Sequence, residues 1–178
     1  SIRPPLPADV AALGYANSVK WNESSAPEKY RRGLYIFYQR TVPYPMLATF
    51  DAPDAYVTCT RRERSNTPLQ ALTLLNDPVF VECAQSLGKR VVEQSGPSPS
   101  ERINHVVRVC LGRDPDAIER THLMTLYNRL KESAELDRDS VEKLIGDYAP
   151  KETPVIEAAV WVAIARVLLN LDEFVTRE

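Results

Sequence analysis

Three arginines lie within four positions of the sequence, Arg61, Arg62 and Arg64, and two aspartates, Asp51 and Asp54, precede them. The planar guanidinium group suits carboxylate, sulfate and phosphate groups, which it can bind through two parallel hydrogen bonds. Two chemistries are therefore open: a structural ionic network between aspartates and arginines, or a site for an external anion. We favour the structural network. It predicts that at least one arginine pairs with Asp51 or Asp54 and is substantially buried.

A helix start directly after the arginines supports the anion alternative. Thr67 and Gln70 have the spacing of a capping box, and Pro68 suits the first helical position. The N–H groups and the dipole at such a helix start favour an anion. Three tyrosines could stack on a sugar ring near this site: Tyr30, Tyr35 and Tyr44. The candidate binding residues are Asp51, Asp54, Arg61, Arg62, Arg64, Asn66 and Asn76.

Other chemistries are less well supported by the sequence. Asp51 and Asp54, with Asn66 or Asn76, offer oxygen atoms of the kind that hard cations take, but Asp-x-Pro-Asp also makes a good turn, and we assign no metal site. Glycoside hydrolysis would need two carboxyl groups across a cleft, about 5–9.5 Å apart. A Ser–His–Asp hydrolase is poorly supported, because the sequence holds only two histidines and no Gly-x-Ser-x-Gly turn.

The elements that must position these residues are helices. After residue 66, apolar residues recur with a period of 3.6, and proline or acidic residues mark the starts of the segments. Further caps are spaced in the sequence: Ser98 with Glu101, Asp116 with Glu119, and Gly112. The pattern predicts a mainly all-α fold, a bundle of about five to seven helices in residues 67–171. The predicted core residues are Leu72, Leu75, Phe80, Leu126, Trp161 and Leu168.

The first third is expected to be irregular and rich in proline. Residues 2–7 should form an extended arm along their own domain, with recognition by a proline-binding partner as the alternative. Alternating residues in Tyr30–Arg40 favour extended structure. We expect a single domain over 1–178, in which an irregular part (1–65) packs on a bundle (66–178).

Composition narrows the class of protein. Of 178 residues, 44% are hydrophobic and 26% are charged, which is typical of a globular domain, and the net charge of −2 gives no overall reason to expect a nucleic-acid partner. Cys59, Cys83 and Cys110 lack metal-ligand spacing, and their odd number leaves at least one outside an internal disulfide. Cys83 and Cys110 are expected in the core. The most apolar run, residues 155–169, is too short to span a bilayer comfortably, so we expect a buried helix.

The arginine-rich stretch also resembles a known family. The run Arg61–Phe80, with the preceding Thr49–Asp54, is similar to the signature of a planctomycete-specific C-terminal domain of unknown function of the PSD type. Further similar segments are Tyr30–Tyr35, Arg40–Pro45, Leu111–Arg113 and Arg166–Phe174. The resemblance implies a segment of a large exported protein, periplasmic or at the cell surface, beside a second domain of unknown function and a cytochrome-c-like domain.

No activity and no catalytic residue come with this resemblance. The haem-attachment pattern Cys-x-x-Cys-His is absent from the sequence, so no cofactor is expected in this segment and any haem would lie elsewhere in the parent protein. Our leading hypothesis is a non-catalytic helical interaction or scaffold domain that binds other domains of its parent. The alternative is part of a polysaccharide-active enzyme, coupled to the cytochrome-like domain, with an anion or sugar site in Arg61–Asn76.

Overall fold

A computed structural model describes residues 1–6, 21–25, 27–39, 43–150 and 153–176. These residues contain eight α-helices, six of them of seven residues or more, and no β-strand. The predicted all-α fold is therefore confirmed. The chain divides into two compact units, Ser1–Thr73 and Leu74–Glu178. The expectation of a single domain stays a prediction.

Local start signals account for most of the helices. Four of them have proline as their first residue, where its missing N–H costs no hydrogen bond and its fixed φ suits the helix. The helices are α1 (Pro45–Thr49), α2 (Pro68–Asn76), α3 (Pro78–Gln94), α4 (Pro99–Leu111), α5 (Ala117–Leu136), α6 (Arg138–Ile145), α7 (Val155–Leu169) and α8 (Asp172–Val175). The division between the two units falls within α2.

The predicted caps of the second unit are present. Both capping boxes form, Ser98 with Glu101 at the start of α4 and Asp116 with Glu119 at the start of α5. Gly112 ends α4 with φ 74°, a left-handed conformation that glycine adopts without a steric penalty.

One short helix begins at Arg138, directly after α5. It is α6, and the side chain of Asp137 caps it. Val141 and Ile145 are buried, so only part of this helix is exposed.

The core of the second unit is built around α7. Eight residues of this helix are buried, which is what an apolar sequence without a polar face requires, and α3, α5 and α6 pack against it. The main cluster comprises Val91, Val92, Ile103, Val106, Val107, Cys110, Tyr127, Val160, Trp161, Ile164 and Leu168. Trp161 and Leu168 are therefore core residues, as predicted, and Leu126 packs against the same cluster.

Three other predicted core positions turn out differently. Phe80 and Leu75 are half-buried. Leu72 is 57% exposed, so its placement in the core is wrong. Cys83 is also exposed, contrary to expectation, whereas Cys110 is buried; the described cysteines are all free thiols.

The first unit has little regular structure. Short 3-10 turns occupy Glu28–Tyr30 and Gly33–Tyr35, and only then does the chain extend, with Ile36 in a single parallel bridge to Ile2. The expectation of extended structure across Tyr30–Arg40 is thus wrong for its first half, because turn hydrogen bonds such as Ile36 N–H to Gly33 O replace strand pairing. Arg40, which ends that range, lies outside the described residues.

The arm lies along its own unit, as predicted. Ile2 and Pro4 are buried, and Trp21 Nε1 donates to Pro4 O at 2.8 Å. The last residue of the predicted arm, Pro7, lies outside the described residues.

Candidate functional site

Asp51 is the centre of a polar cluster in the first unit. It has φ 54°, a left-handed conformation that is uncommon for a residue other than glycine. Its Oδ2 accepts hydrogen bonds from Ser65 N at 2.8 Å and from Ser65 Oγ at 2.7 Å. The carboxylate therefore connects the end of the α1 region to the residues just before α2.

Gln70 supports this contact from the first turn of α2. Its side chain is 2% exposed, and its Nε2 donates to Thr49 O at 2.9 Å and to Ser65 Oγ at 3.1 Å, with a longer contact of 3.4 Å to Asp51 Oδ2. Its Oε1 accepts from Thr67 N, while Thr67 Oγ1 accepts from Gln70 N. The predicted capping box thus forms, and the same amide holds a neighbouring loop.

The side chain of Arg62 joins the cluster by donating to backbone carbonyl groups. Its Nε donates to Asp51 O at 3.0 Å and its Nη2 to Phe50 O at 2.6 Å. These donors add to the side-chain contacts of Asp51, because they fix the carbonyl groups on either side of the left-handed residue. We call Asp51, Arg62, Ser65, Thr67 and Gln70 the signature clasp.

The clasp also sets the electrostatics of Asp51. Hydrogen bonds to the ionised carboxylate, first from the Ser65 hydroxyl and then from the Ser65 N–H, lower the pKa of Asp51 below its ordinary value. Such a group is held as an anion at neutral pH.

The clasp closes a segment that is exposed along its whole length, residues 53–64. Within it, Asp54 Oδ1 accepts from Tyr56 N, a local turn contact, and Cys59 Sγ lies 3.2 Å from Arg61 O. Tyr56 and Val57 are 53% and 67% exposed. The segment therefore combines apolar and charged side chains on an accessible surface.

The three arginines of the predicted site are placed differently from our expectation. Arg61, Arg62 and Arg64 are all exposed, so the prediction of a substantially buried arginine is wrong. The physical reason is that Ser65 and Gln70 supply the donors to the Asp51 carboxylate, while Arg62 reaches its backbone carbonyl instead.

The two asparagines and the tyrosines were also candidates for the predicted site. Asn66 is exposed beside the clasp, whereas Asn76 ends α2 within the second unit. Tyr44 is buried and stacked on Trp21, with ring centroids 5.8 Å apart, so it does not offer a face to a sugar. Tyr30 and Tyr35 are each 43% exposed.

A second polar cluster, in the second unit, was missed by sequence reasoning. Glu157 Oε1 accepts from Arg102 Nη1 at 2.7 Å and from Trp161 Nε1 at 2.8 Å, and its Oε2 accepts from Tyr127 OH at 2.7 Å. The Arg102 and Glu157 side chains are only 11% and 17% exposed. Two effects raise the pKa of Tyr127 to about 12: burial is the larger, and the hydrogen bond to Glu157 is the second.

The signal for this cluster was present in the sequence. Glu157 is a carboxylate inside the most apolar run of the chain, and Trp161 lies one helical turn later on the same face. A buried carboxylate requires donors, which could have been inferred. Arg102 and Tyr127, by contrast, come from other helices, and no local pattern indicates them.

A third cluster lies at the surface of the second unit. The guanidinium group of Arg113 binds two carboxylates, Glu119 through Nη1 and Nη2 at 2.8 and 2.7 Å, and Glu173 through Nε and Nη2 at 2.7 and 2.6 Å. Its hydrogen bonds, with a further one from Asp116 N, lower the pKa of Glu119 to about 2. This pairing attaches α8 to the start of α5.

The described residues have two further properties that bear on the site. They contain no group of three or more His, Cys, Asp or Glu side chains placed to hold a metal ion. Nor do they include a helix with both the length and the apolar character needed to cross a membrane.

Comparison with known proteins identifies one family. Residues 1–127 match the model of PSD1, described as a protein of unknown function (DUF1553). The matched range includes the arm, the signature clasp and the residues from α3 to the middle of α5. No curated protein and no solved structure gives a significant match to the chain.

Proposed function

Because the chain belongs to the PSD1 family of proteins of unknown function (DUF1553), we propose its function from its side chains: it is a non-catalytic interaction domain that presents residues 53–64 to a partner. The partner that we propose is another domain of a larger exported parent protein.

The signature clasp is the observation that supports this proposal. The Asp51 carboxylate accepts from Ser65 and Gln70, and Arg62 donates to two carbonyl groups of the same loop. These hydrogen bonds hold the two ends of the exposed segment, residues 53–64, together. Binding residues are concentrated on loops that a rigid scaffold holds in place, and a segment with fixed ends loses less conformational entropy on binding.

The side chains on this segment carry a small positive excess, three arginines against Asp54 and Glu63, which suits an acidic protein surface. Arginine and tyrosine are enriched in the energetically important centres of interfaces, and Tyr56 and Val57 expose apolar area on the same segment as the arginines. Arg61 and Arg64 are exposed at the end of the segment. Complementary charge would fix the orientation of the partner and accelerate the encounter.

The test measures binding between this chain and the other domains of the full-length protein, produced separately, by calorimetry. Replacing both Arg61→Glu and Arg64→Glu should weaken binding by about tenfold or more, because like charges would then face an acidic surface. The melting temperature should hardly change. Arg129→Glu, an exposed arginine on α5, serves as the matched control.

Two results would contradict the proposal. One is equal binding by the loop variant and the control variant. The other is turnover of a substrate by the isolated chain, which a non-catalytic domain does not show.

A second candidate is an anionic or sugar ligand, in a polysaccharide-active parent. It is supported by exposed Tyr35, whose ring lies 6.0 Å from the guanidinium groups of Arg31 and of Arg32. Aromatic faces stack on sugar rings, and guanidinium groups bind carboxylate or sulfate. The lowered pKa of Asp51 does not suit a general acid, which needs a raised one, so a binding role fits better than glycoside hydrolysis.

Titration with a sulfated oligosaccharide and with its neutral counterpart separates this candidate from the first. Tyr35→Ala should abolish binding of the sulfated sugar without affecting binding of parent domains. Equal affinity for both sugars, or equal binding by the variant, would count against an anionic sugar site.

A further inference from the structure

The described part of the arm, residues 2–6, is held along its backbone by residues distant in sequence. Ile2 N–H donates to Tyr35 O at 2.8 Å, and Phe37 N–H donates to Ile2 O at 2.7 Å. Arg3 N–H donates to Ser24 Oγ at 2.9 Å, and Ser24 N–H donates to Arg3 O at 2.8 Å. These contacts resemble the main-chain hydrogen bonding of an extended peptide in a binding groove.

The two prolines that follow are bound by aromatic side chains. Trp21 Nε1 donates to Pro4 O at 2.8 Å, and Tyr44 OH donates to Pro5 O at 3.3 Å. Proline has no N–H, so its carbonyl is its only main-chain hydrogen-bonding group. Every main-chain donor and acceptor from Ile2 to Pro5 is therefore recognised.

Side chains of the arm are recognised as well. Ile2, which is 3% exposed, and Pro4 are both buried, and residues two apart on an extended chain point to the same side. Arg3 lies on the other side, with its guanidinium carbon 4.3 Å from the centre of the Phe37 ring. Main-chain contacts together with alternate buried side chains are the two components of peptide recognition by a groove.

The aromatic residues that form the walls of this site are fixed by one another. Trp21 and Tyr44 are stacked with an angle of 2° between their rings, and the Trp21 and Phe37 ring centroids are 6.4 Å apart. Aromatic grooves with a tryptophan N–H or a tyrosine hydroxyl are a general means of binding extended proline-containing peptides. Here the bound peptide is part of the same chain.

We propose that Trp21, Ser24, Tyr35, Phe37 and Tyr44 form a peptide-binding groove for an extended Ile-Arg-Pro-Pro segment, and that it accepts the arm of a second copy of this chain in exchange for its own. The contacts that hold the arm are hydrogen bonds and packing, so a second copy offers the same ligand to the same groove. Intramolecular binding has the advantage of a high effective concentration. Exchange therefore requires release of the resident arm.

The test uses the full chain with Ile2→Asp and Pro4→Asp, which releases the arm because a carboxylate is unfavourable in these buried positions. Fluorescence anisotropy follows a labelled peptide, Ser-Ile-Arg-Pro-Pro-Leu. The arm-released chain should bind it, and the unmodified chain should bind at least about tenfold more weakly, because its own arm competes. Adding Trp21→Phe to the arm-released chain should weaken binding several-fold, since one hydrogen bond to Pro4 O is lost. A peptide with both prolines replaced by alanine is the control.

A second measurement applies if the arm-released chain does not fold. If the first unit unfolds, the added peptide should restore the tryptophan fluorescence of the chain to that of the unmodified chain. An arm-released chain that neither binds the peptide when folded nor recovers with it when unfolded would overturn the proposal.

Exchange between copies is tested by mixing two variants. One is the arm-released chain, and the other keeps its arm but carries Trp21→Ala and Tyr44→Phe, which disable its groove. Analytical ultracentrifugation should show a heterodimer in the mixture and monomers in each variant alone. Peptide binding without any heterodimer would overturn the assignment of a second copy as the occupant.

Discussion

The hydrogen-bond donors around Glu157 determine how its carboxylate contributes to the structure of this protein. Its two oxygens accept from a guanidinium group, an indole N–H and a phenol hydroxyl. With Arg102 and Tyr127 drawn from two other helices, the carboxylate links α4 and α5 to α7. A largely buried charge with this many partners is stabilising only as a complete set.

Removal of one member should therefore be costly. Glu157→Ala is expected to lower the free energy of unfolding by about 3–5 kcal/mol, because Arg102 is left largely buried without its carboxylate. Tyr127→Phe should cost about 1.5–3 kcal/mol, the usual range for a hydrogen bond to a charged group. Urea unfolding checks both values. Glu132→Ala, at an exposed position of α5, is the control, and a loss for Glu157→Ala no larger than for this control would contradict the role given to the network.

At the scale of helices, local chemistry was predictable, whereas burial was predictable for Trp161 and Leu168 in the most apolar helix and not for α2. The capping boxes and the left-handed Gly112 follow from residues three or four positions apart, so the sequence indicated where α4 and α5 begin and where α4 ends. Leu69, Leu72 and Leu75 follow one another at a spacing of three residues, which is compatible with a helix, and all three lie in α2. That spacing contains no information about what covers the helix, and Leu69 and Leu72 are 61% and 57% exposed.

The same limit applies to the candidate site. The Thr67–Gln70 capping box could be inferred from spacing. Asp51 could be identified as a candidate because it shortly precedes the arginines in the sequence. The donors to the Asp51 carboxylate could not be inferred, because Ser65 lies beside three charged arginines that could equally have donated to it. Its left-handed backbone, which decides which donors can reach it, depends on the folded loop.

Gly88 shows how a helix pair depends on one small residue. A Cβ atom built at this position of α3 would lie 2.7 Å from the backbone N and from Cγ2 of Val162 in α7. Gly88→Ala should therefore destabilise the second unit by about 1–3 kcal/mol through overpacking, although alanine has the better helix propensity. Ser86→Ala, at an exposed position of the same helix, should have little effect. A higher melting temperature for Gly88→Ala would show that α3 and α7 are not closely packed there.

For the whole molecule, the shifted carboxylates determine how stability depends on pH. Hydrogen bonds lower the pKa of Asp51, Glu119, Asp137 and Glu173, whereas burial raises the pKa of Asp77. A lowered folded-state pKa means that the unfolded chain binds more protons at acid pH. The resulting stability is present above the unfolded value and is lost as the pH falls through the folded value. Asp77 acts in the opposite direction.

Glu119 is the best single site at which to test this dependence, because Arg113 and the N–H of Asp116 lower its pKa from 4.5 to about 2. The free energy of unfolding should therefore decrease between about pH 4.5 and pH 2, and Glu119→Gln should make that decrease smaller. Urea titrations at pH 7, 4.5 and 3 measure it, with Glu132→Gln as the exposed control. Because the Arg113 cluster lies at the surface, about 0.5 M salt should reduce the difference between Glu119→Gln and the unmodified chain. An unchanged pH dependence in Glu119→Gln would mean that this ion pair does not contribute to folding in solution.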